Sequence, residues 1–302
     1  MTAIVETSNL TKSYGSRTVV DGLDLRIPEG CVYGFLGPNG SGKSTTMKML
    51  LSLVRPTSGQ AYVLGRPMNR SSRRDLLGQI GSLIESPPGY AHLTGAENMR
   101  ITQRLLGLED AQIDLAVRTV RMQDQMGKRV REYSLGMKQR LGIAMALARR
   151  PRLLILDEPT NGLDPAGIEE IRDLLRRLAG DGVSVMVSSH LLGEIDRTAT
   201  VLGILSGGRM IFQGSRDELF AAATPDLLID CSEPQRAQAM LGRPHGAQLE
   251  NGSLRLPGVD SERAVQDIVA GLVGEAIGVH GIRRDEQTLE SVFMDLTAGG
   301  AL

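Results

Sequence analysis

The sequence carries almost no net charge: 34 Lys and Arg stand against 35 Asp and Glu, leaving -1 over 302 residues. That balance removes the electrostatic case for a nucleic-acid partner, whose phosphates call for a basic excess. The short basic runs Arg70–Arg74 and Gly127–Arg131 read as solvated faces. Only two cysteines are present, Cys31 and Cys231. They lie far apart, fit no metal spacing and read as free, buried thiols in a reducing compartment. No run approaches the roughly 20 apolar residues of a membrane helix; stretches such as LGIAMALA are too short. The opening MTAIVETSNL has neither a basic start nor an apolar run, so no secretory leader is expected. A cytoplasmic chain follows, with no direct membrane insertion and any membrane contact made through a partner. Internal repeats and low-complexity tracts are also lacking.

What is present is a chain with 41 % apolar residues, enough for a sizeable core. Its length suits a domain of about 200 residues with an appendage. Ala3–Ser8 and Thr18–Ile27 alternate apolar and polar residues and read as strands. Cys31–Leu36 is an apolar run that ends in a glycine loop, followed by a helical pattern through Leu53. Gln60–Leu64 reads as a strand, and Thr94–Ala148 as mostly helix behind a Pro87–Pro88–Gly89 loop. Leu153–Leu156 reads as a buried parallel strand. The helix Ala166–Leu178 and the strands Val183–Ser188, Val201–Ser206 and Met210–Gln213 follow. Beyond Arg216 the order becomes strand Leu227–Cys231, helix Glu233–Leu241, hairpin Gln248–Leu256, helix Ser261–Val273, strand Ile277–Arg283 and helix Thr288–Leu296. This β-α-β-β-α-β order predicts a small ferredoxin-like α+β domain.

Three segments carry chemistry. Gly37-Pro38-Asn39-Gly40-Ser41-Gly42-Lys43-Ser44-Thr45 matches G-x-x-x-x-G-K-[ST], after a strand and before a helix. Its glycines let backbone N–H groups turn toward phosphate oxygens, and the helix N-terminus adds positive potential. Lys43 can reach the β- and γ-phosphates, and the Ser44 hydroxyl can ligate Mg²⁺. Leu153–Leu156 ends in Asp157-Glu158. There Asp157 suits the metal or its water shell, and Glu158 suits the orientation or deprotonation of attacking water. Tyr133-Ser134-Leu135-Gly136-Met137-Lys138-Gln139-Arg140 offers a hydroxyl and a helix N-terminus, the parts of a second anion site.

The last segment resembles the ABC signature, with Ser134 and Gly136 in its Ser and second Gly positions and Leu135 and Met137 departing from the commonest form. The resemblance covers about residues 3–215. It implies an α/β P-loop ABC ATPase core (1–215) with a helical subdomain near 86–150, followed by a C-terminal accessory α+β domain (216–302). It further implies ATP and Mg²⁺ as cofactors and a head-to-tail homodimer in which Ser134 and Gly136 face the partner's γ-phosphate. Tyr14 stands where such proteins stack an aromatic on adenine, Asn161-Gly-Leu-Asp164 where a loop contacts the other subunit, and His190 where a switch histidine senses the γ-phosphate. Glu85 takes the place of the usual Gln that touches Mg²⁺ and couples to the permease, as in the bacitracin and lantibiotic immunity subgroup. The ending Thr288–Thr297 resembles drug- and antibiotic-export ATPases. The implied function is ATP hydrolysis driving a separate membrane permease, with export of an antibiotic peptide or drug. The rival reading is a non-transport ABC ATPase acting on ribosome, DNA or complex assembly. The single ATPase unit, the lack of a long coiled coil and the lack of zinc-spaced cysteines all weigh against it.

Overall fold

The computed structural model describes residues 2–190, 198–222, 226–250, 252–259, 261–284 and 292. The chain divides into two compact units, Met1–Arg216 and Asp217–Leu302. The first holds two sheets. In the antiparallel one, β1 (Ala3–Tyr14) pairs with β2 (Arg17–Leu23), β3 (Arg26–Pro28) and β5 (Ser58–Val63), and β5 pairs with β6 (Arg66–Pro67). The expected strand Thr18–Ile27 is thus broken in two. The Thr7 hydroxyl causes the break by taking ladder positions, since it donates to Leu23 O (2.7 Å) and accepts from Leu25 N (2.8 Å).

The second sheet is mainly parallel. Its order is β11 (Arg209–Ser215), β10 (Val201–Ser206), β4 (Val32–Leu36), β9 (Ser184–Ser189), β8 (Leu153–Leu156) and β7 (Ile80–Leu83), with only β11 antiparallel to its neighbour. Every residue of β4, β8 and β9 is buried, as a parallel sheet covered on both faces requires. Leu36 registers with Ser189, and Leu156 with Val187. Three carboxyl ends therefore open on one sheet edge, the edge where α/β proteins bind ligands. Cys31 sits just before β4, and burial pushes its thiol up to about 11 against the opposing effect of its backbone hydrogen bond.

Helix α1 (Lys43–Leu50) follows β4, and α2 (Arg73–Leu77) begins in the basic run, where Arg73 and Arg74 are exposed and Ser72 is buried, and buries Leu76 beyond it. The Thr94–Ala148 region is α3 (Gly95–Leu106), α4 (Asp110–Thr119), two 3-10 turns and α5 (Leu135–Leu147). A Thr94/Glu97 capping box starts α3, and Gly107, at φ 64°, stops it. After β8 comes α6 (Pro165–Gly180), and a short α7 (Arg216–Ala222) follows β11.

In the second unit β12 (Leu227–Cys231), α8 (Pro234–His245), β13 (Gln248–Glu250), β14 (Ser253–Leu256), α9 (Glu262–Gly274) and β15 (Val279–Arg284) follow in that order. The sheet order β13-β14-β12-β15, antiparallel throughout, is the ferredoxin-like arrangement. Leu227, Ile229, Leu254 and Leu256 pack against Ala237, Leu241, Ile268 and Leu272 of the two helices. The expected helix Thr288–Leu296 lies outside the described residues except for Val292. No helix among the described residues is long and apolar enough to cross a membrane.

Candidate active site

The loop from Gly37 to Gly42 joins β4 to α1 and has no room for a side chain at either end. A Cβ at Gly37 would lie 2.4 Å from Leu205 O, and one at Gly42 would lie 2.7 Å from Val19 O. Gly42 also holds φ 107°, which only glycine adopts without strain. No side chain caps α1 and no acidic residue stands in its first turn. Its first N–H groups and positive end are thus left to a ligand. The Ser41 hydroxyl, 3 % exposed, has no hydrogen-bond partner among the described residues. Lys43 is buried, and its ammonium donates to Gly37 O (2.7 Å) and Pro38 O (3.3 Å).

Opposite stand the ends of β8 and β9. Asp157 is buried and accepts from Ser188 Oγ (2.6 Å), while the same oxygen accepts from Glu158 N (2.9 Å). Ser188 therefore stitches the two carboxylate residues to the neighbouring strand. Glu158 holds φ 50°, a left-handed backbone that costs a non-glycine residue about 1–2 kcal/mol. Its Oε2 lies 2.7 Å from His190 Nδ1 and its Oε1 lies 3.5 Å from Lys43 Nζ. Lys43, Glu158 and His190 follow three adjacent parallel strands and converge on one carboxylate.

A cleft of about 450 Å³ opens beside it, lined by Asn39, Gly40, Gly42, Lys43, Ser44 and Thr45 on one side and Glu158, Asn161 and His190 on the other. A larger concavity, about 1060 Å³, lies among residues from Met49 to Tyr62 and Pro67 to Arg73. Its lining has no carboxylate and no histidine, so the smaller cleft is the candidate site. Phosphate fits that cleft, given the glycine backbone, the uncapped helix and the Lys43 ammonium that line it. Among the described residues no group of three His, Cys, Asp or Glu gathers around a metal position. Mg²⁺ bound to nucleotide phosphates needs only one or two protein ligands, which Ser44 and Asp157 can supply.

The other expected residues fall elsewhere. Glu85, at φ 67°, is outside the cleft lining, and its exposed carboxylate is ion-paired with Lys48 of α1. Tyr14 ends β1, 52 % exposed, with Lys12 Nζ 4.7 Å from its ring centre. Ser134 caps α5 by accepting from Met137 N (3.3 Å), and Asp164 caps α6 by accepting from Gly167 N (3.1 Å). Neither Ser134 nor Gly136 lines this chain's own cleft. Sequence reasoning missed Ser188 and Lys48. The first was within reach, on β9 two residues before His190; nothing local marked the second.

A phosphate loop, a carboxylate pair after a buried strand and a histidine just after the neighbouring strand define a P-loop ATPase unit. The family described as ABC transporter matches residues 20–161. The chain is 39 % identical over 309 residues to the bacitracin transport ATP-binding protein BcrA of Bacillus licheniformis, covering 100 % of both. It is 44 % identical over 214 residues to the lantibiotic transport ATP-binding protein SrtF of Streptococcus pyogenes, covering 71 % of this chain and 92 % of that one. Among solved structures, cbiO1 from Clostridium perfringens, part of the ABC transporter complex cbiONQ, matches with a TM-score of 0.68 at 27 % identity. That match spans 73 % of this chain and 92 % of that one. The chain belongs to the ABC transporter family as an ATP-binding subunit, in close match to transport ATPases of the bacitracin and lantibiotic type. It binds and hydrolyses ATP and partners a membrane permease.

Proposed function

We propose that two copies of this chain close head to tail on two MgATP and drive a separate permease that exports an antibiotic peptide or similar amphiphile. The observation that carries the motor reading is the Glu158 carboxylate, held between Lys43 and His190 at the phosphate loop. In this reading the loop 37–45 binds phosphates, Tyr14 stacks on adenine, and Ser134 and Gly136 of the opposite subunit complete the site. Glu158 takes a proton from the attacking water, and His190 orients Glu158. Ser44 and Asp157 would hold Mg²⁺, which when bound neutralises charge on the phosphate oxygens. Glu85 would join them only by leaving Lys48. ATP favours the closed dimer and hydrolysis releases it, a population shift passed to the permease.

The cargo is inferred from BcrA and SrtF, which are bacitracin and lantibiotic transport ATP-binding proteins. Residues 1–215 form the ATPase domain in this reading, with a helical subdomain near 86–150. Residues 216–302 form an accessory domain for packing or dimer stability. The chain works on the cytoplasmic face of the membrane, peripherally, through its permease. The test is to trap Glu158→Gln with MgATP, purify it from detergent-solubilised cells and identify what travels with it. A stoichiometric polytopic membrane protein is expected. Ribosomal or DNA-associated partners without one would overturn the transport reading.

A further inference from the structure

The N-terminal ends of α5 and α6 are fastened to each other in two places. A Cβ at Gly162 would stand 3.0 Å from Leu135 Cδ2, so the Leu135 side chain lies directly on that glycine. A Cβ at Gly136 would stand 3.7 Å from Leu163 Cδ2, so each leucine covers the glycine beside the other. Gly162 holds φ 73°, and contact and conformation both call for glycine there. Leu135 is 42 % exposed, so this clasp is a surface contact and not core filling. A glycine at 135 could not make it. The second tie lies six residues beyond each cap. Arg140, counted from Ser134, is ion-paired with Glu170, counted from Asp164. At a rise of about 1.5 Å per residue the ties are about 8–9 Å apart along the helices. Two separated ties resist rotation of one helix against the other, which a single contact does not.

The clasp joins two different elements. Asn161 lines the cleft, and its N–H donates to Glu158 O (3.2 Å). Gly162, the next residue, lies under Leu135, which itself follows Ser134. α5 has no acidic residue in its first turn, so its N-terminus stays attractive to anions, whereas the Asp164 carboxylate caps α6. The contacts therefore run from the catalytic carboxylate residue to the anion site on α5 within one subunit.

We propose that Leu135 and the Arg140–Glu170 pair are positioning residues that lock the Ser134 anion site to the Asn161–Asp164 loop, so that one subunit's nucleotide state sets how it presents Ser134 to the other subunit's ATP. This inference rests on the two-ATP dimer reading above. Its consequence is cooperativity between the two sites, a coupling carried by a named contact and not by distance alone.

The test uses the full chain with Leu135→Gly, Leu135→Met and Glu170→Gln, each in the native and the Glu158→Gln backgrounds. Leu135→Gly is expected to leave MgATP affinity of the isolated subunit within about twofold. The Hill coefficient for ATP hydrolysis should fall to about 1, and Glu158→Gln dimer trapping should need about tenfold more ATP. Leu135→Met should restore both, because it regains an apolar contact of similar length. Glu170→Gln should shift both readouts the same way by a smaller factor, and it carries the test if Leu135→Gly fails to fold. Unchanged cooperativity and trapping in folded Leu135→Gly and Glu170→Gln would overturn the proposal. If unaltered Leu135 with Glu158→Gln forms no ATP-dependent dimer, the dimer reading itself fails and takes this inference with it. The parent's failure would distinguish that case.

Discussion

In the unit Met1–Arg216 the strands β4, β8 and β9 run parallel, and their carboxyl ends deliver the phosphate loop, Glu158 and His190 to one edge. In the unit Asp217–Leu302 the described strands all pair antiparallel, and several of its charged side chains pair with one another. Arg255 binds Asp226 (2.6 Å) and Glu250 (2.9 Å), while Arg283 binds Asp230 (2.6 Å). The Ser253 hydroxyl, and then Arg283, hold the Asp230 carboxyl below its ordinary range. Parallel strands gather loop residues at one end, so unpaired donors and acceptors can converge on a ligand. An antiparallel sheet spreads its loops over both ends, and here Arg255 and Arg283 on the sheet are taken up by carboxylates of the same unit. In the first unit a left-handed backbone falls at the candidate site, on Glu158; in the second, Ala276 is left-handed just past the end of α9.

This contrast can be broken by exchanging what each unit is expected to lose. Ile229→Ala empties part of the second core and should cost about 2–5 kcal/mol, read as an earlier urea transition, with ATP affinity unchanged. A matching loss of ATP affinity would erase the distinction. Lys43→Ala should do the reverse, weakening nucleotide binding about 10- to 100-fold by calorimetry while the second unit's transition stays put. Asp164→Ala removes the α6 cap and should cost about 1 kcal/mol; thermal unfolding measures it. The smallest effect is electrostatic. The depressed Asp230 pKa gives stability present above the ordinary carboxylate pKa and lost as pH falls through the folded value. Ser253→Ala should raise that pKa toward the ordinary value, as followed by NMR titration of the carboxyl.

Several strands of the mainly parallel sheet and of the second unit's sheet were legible because they are uniformly apolar or bounded by glycine. Leu153–Leu156, Val201–Ser206 and Leu227–Cys231 carry the expected bounds. β1 runs six residues past Ser8 because its polar second half pairs with β2, a partnership no alternation announces. The helical stretch is interrupted by caps, and the chain around Gly107 and Glu109 needs tertiary contacts to settle its breaks. At the site, the glycine loop and Asp157-Glu158 could be read from type and spacing. The Lys43–Glu158–His190 convergence depends on strand order, which spacing in sequence does not reveal. Glu85 could be placed beside the metal only by resemblance, and its pairing with Lys48 reflects a loop backbone that sequence does not encode locally.

The most direct test of the account is single-turnover ATP hydrolysis by Glu158→Gln against the unaltered chain, with nucleotide binding measured on the same samples. Binding should persist and an ATP-dependent dimer should accumulate, while the chemical step slows by about 10²–10⁴-fold, the usual contribution of a general base. Hydrolysis near the unaltered rate would contradict the assignment of Glu158, and with it the mechanism built on the carboxylate between Lys43 and His190.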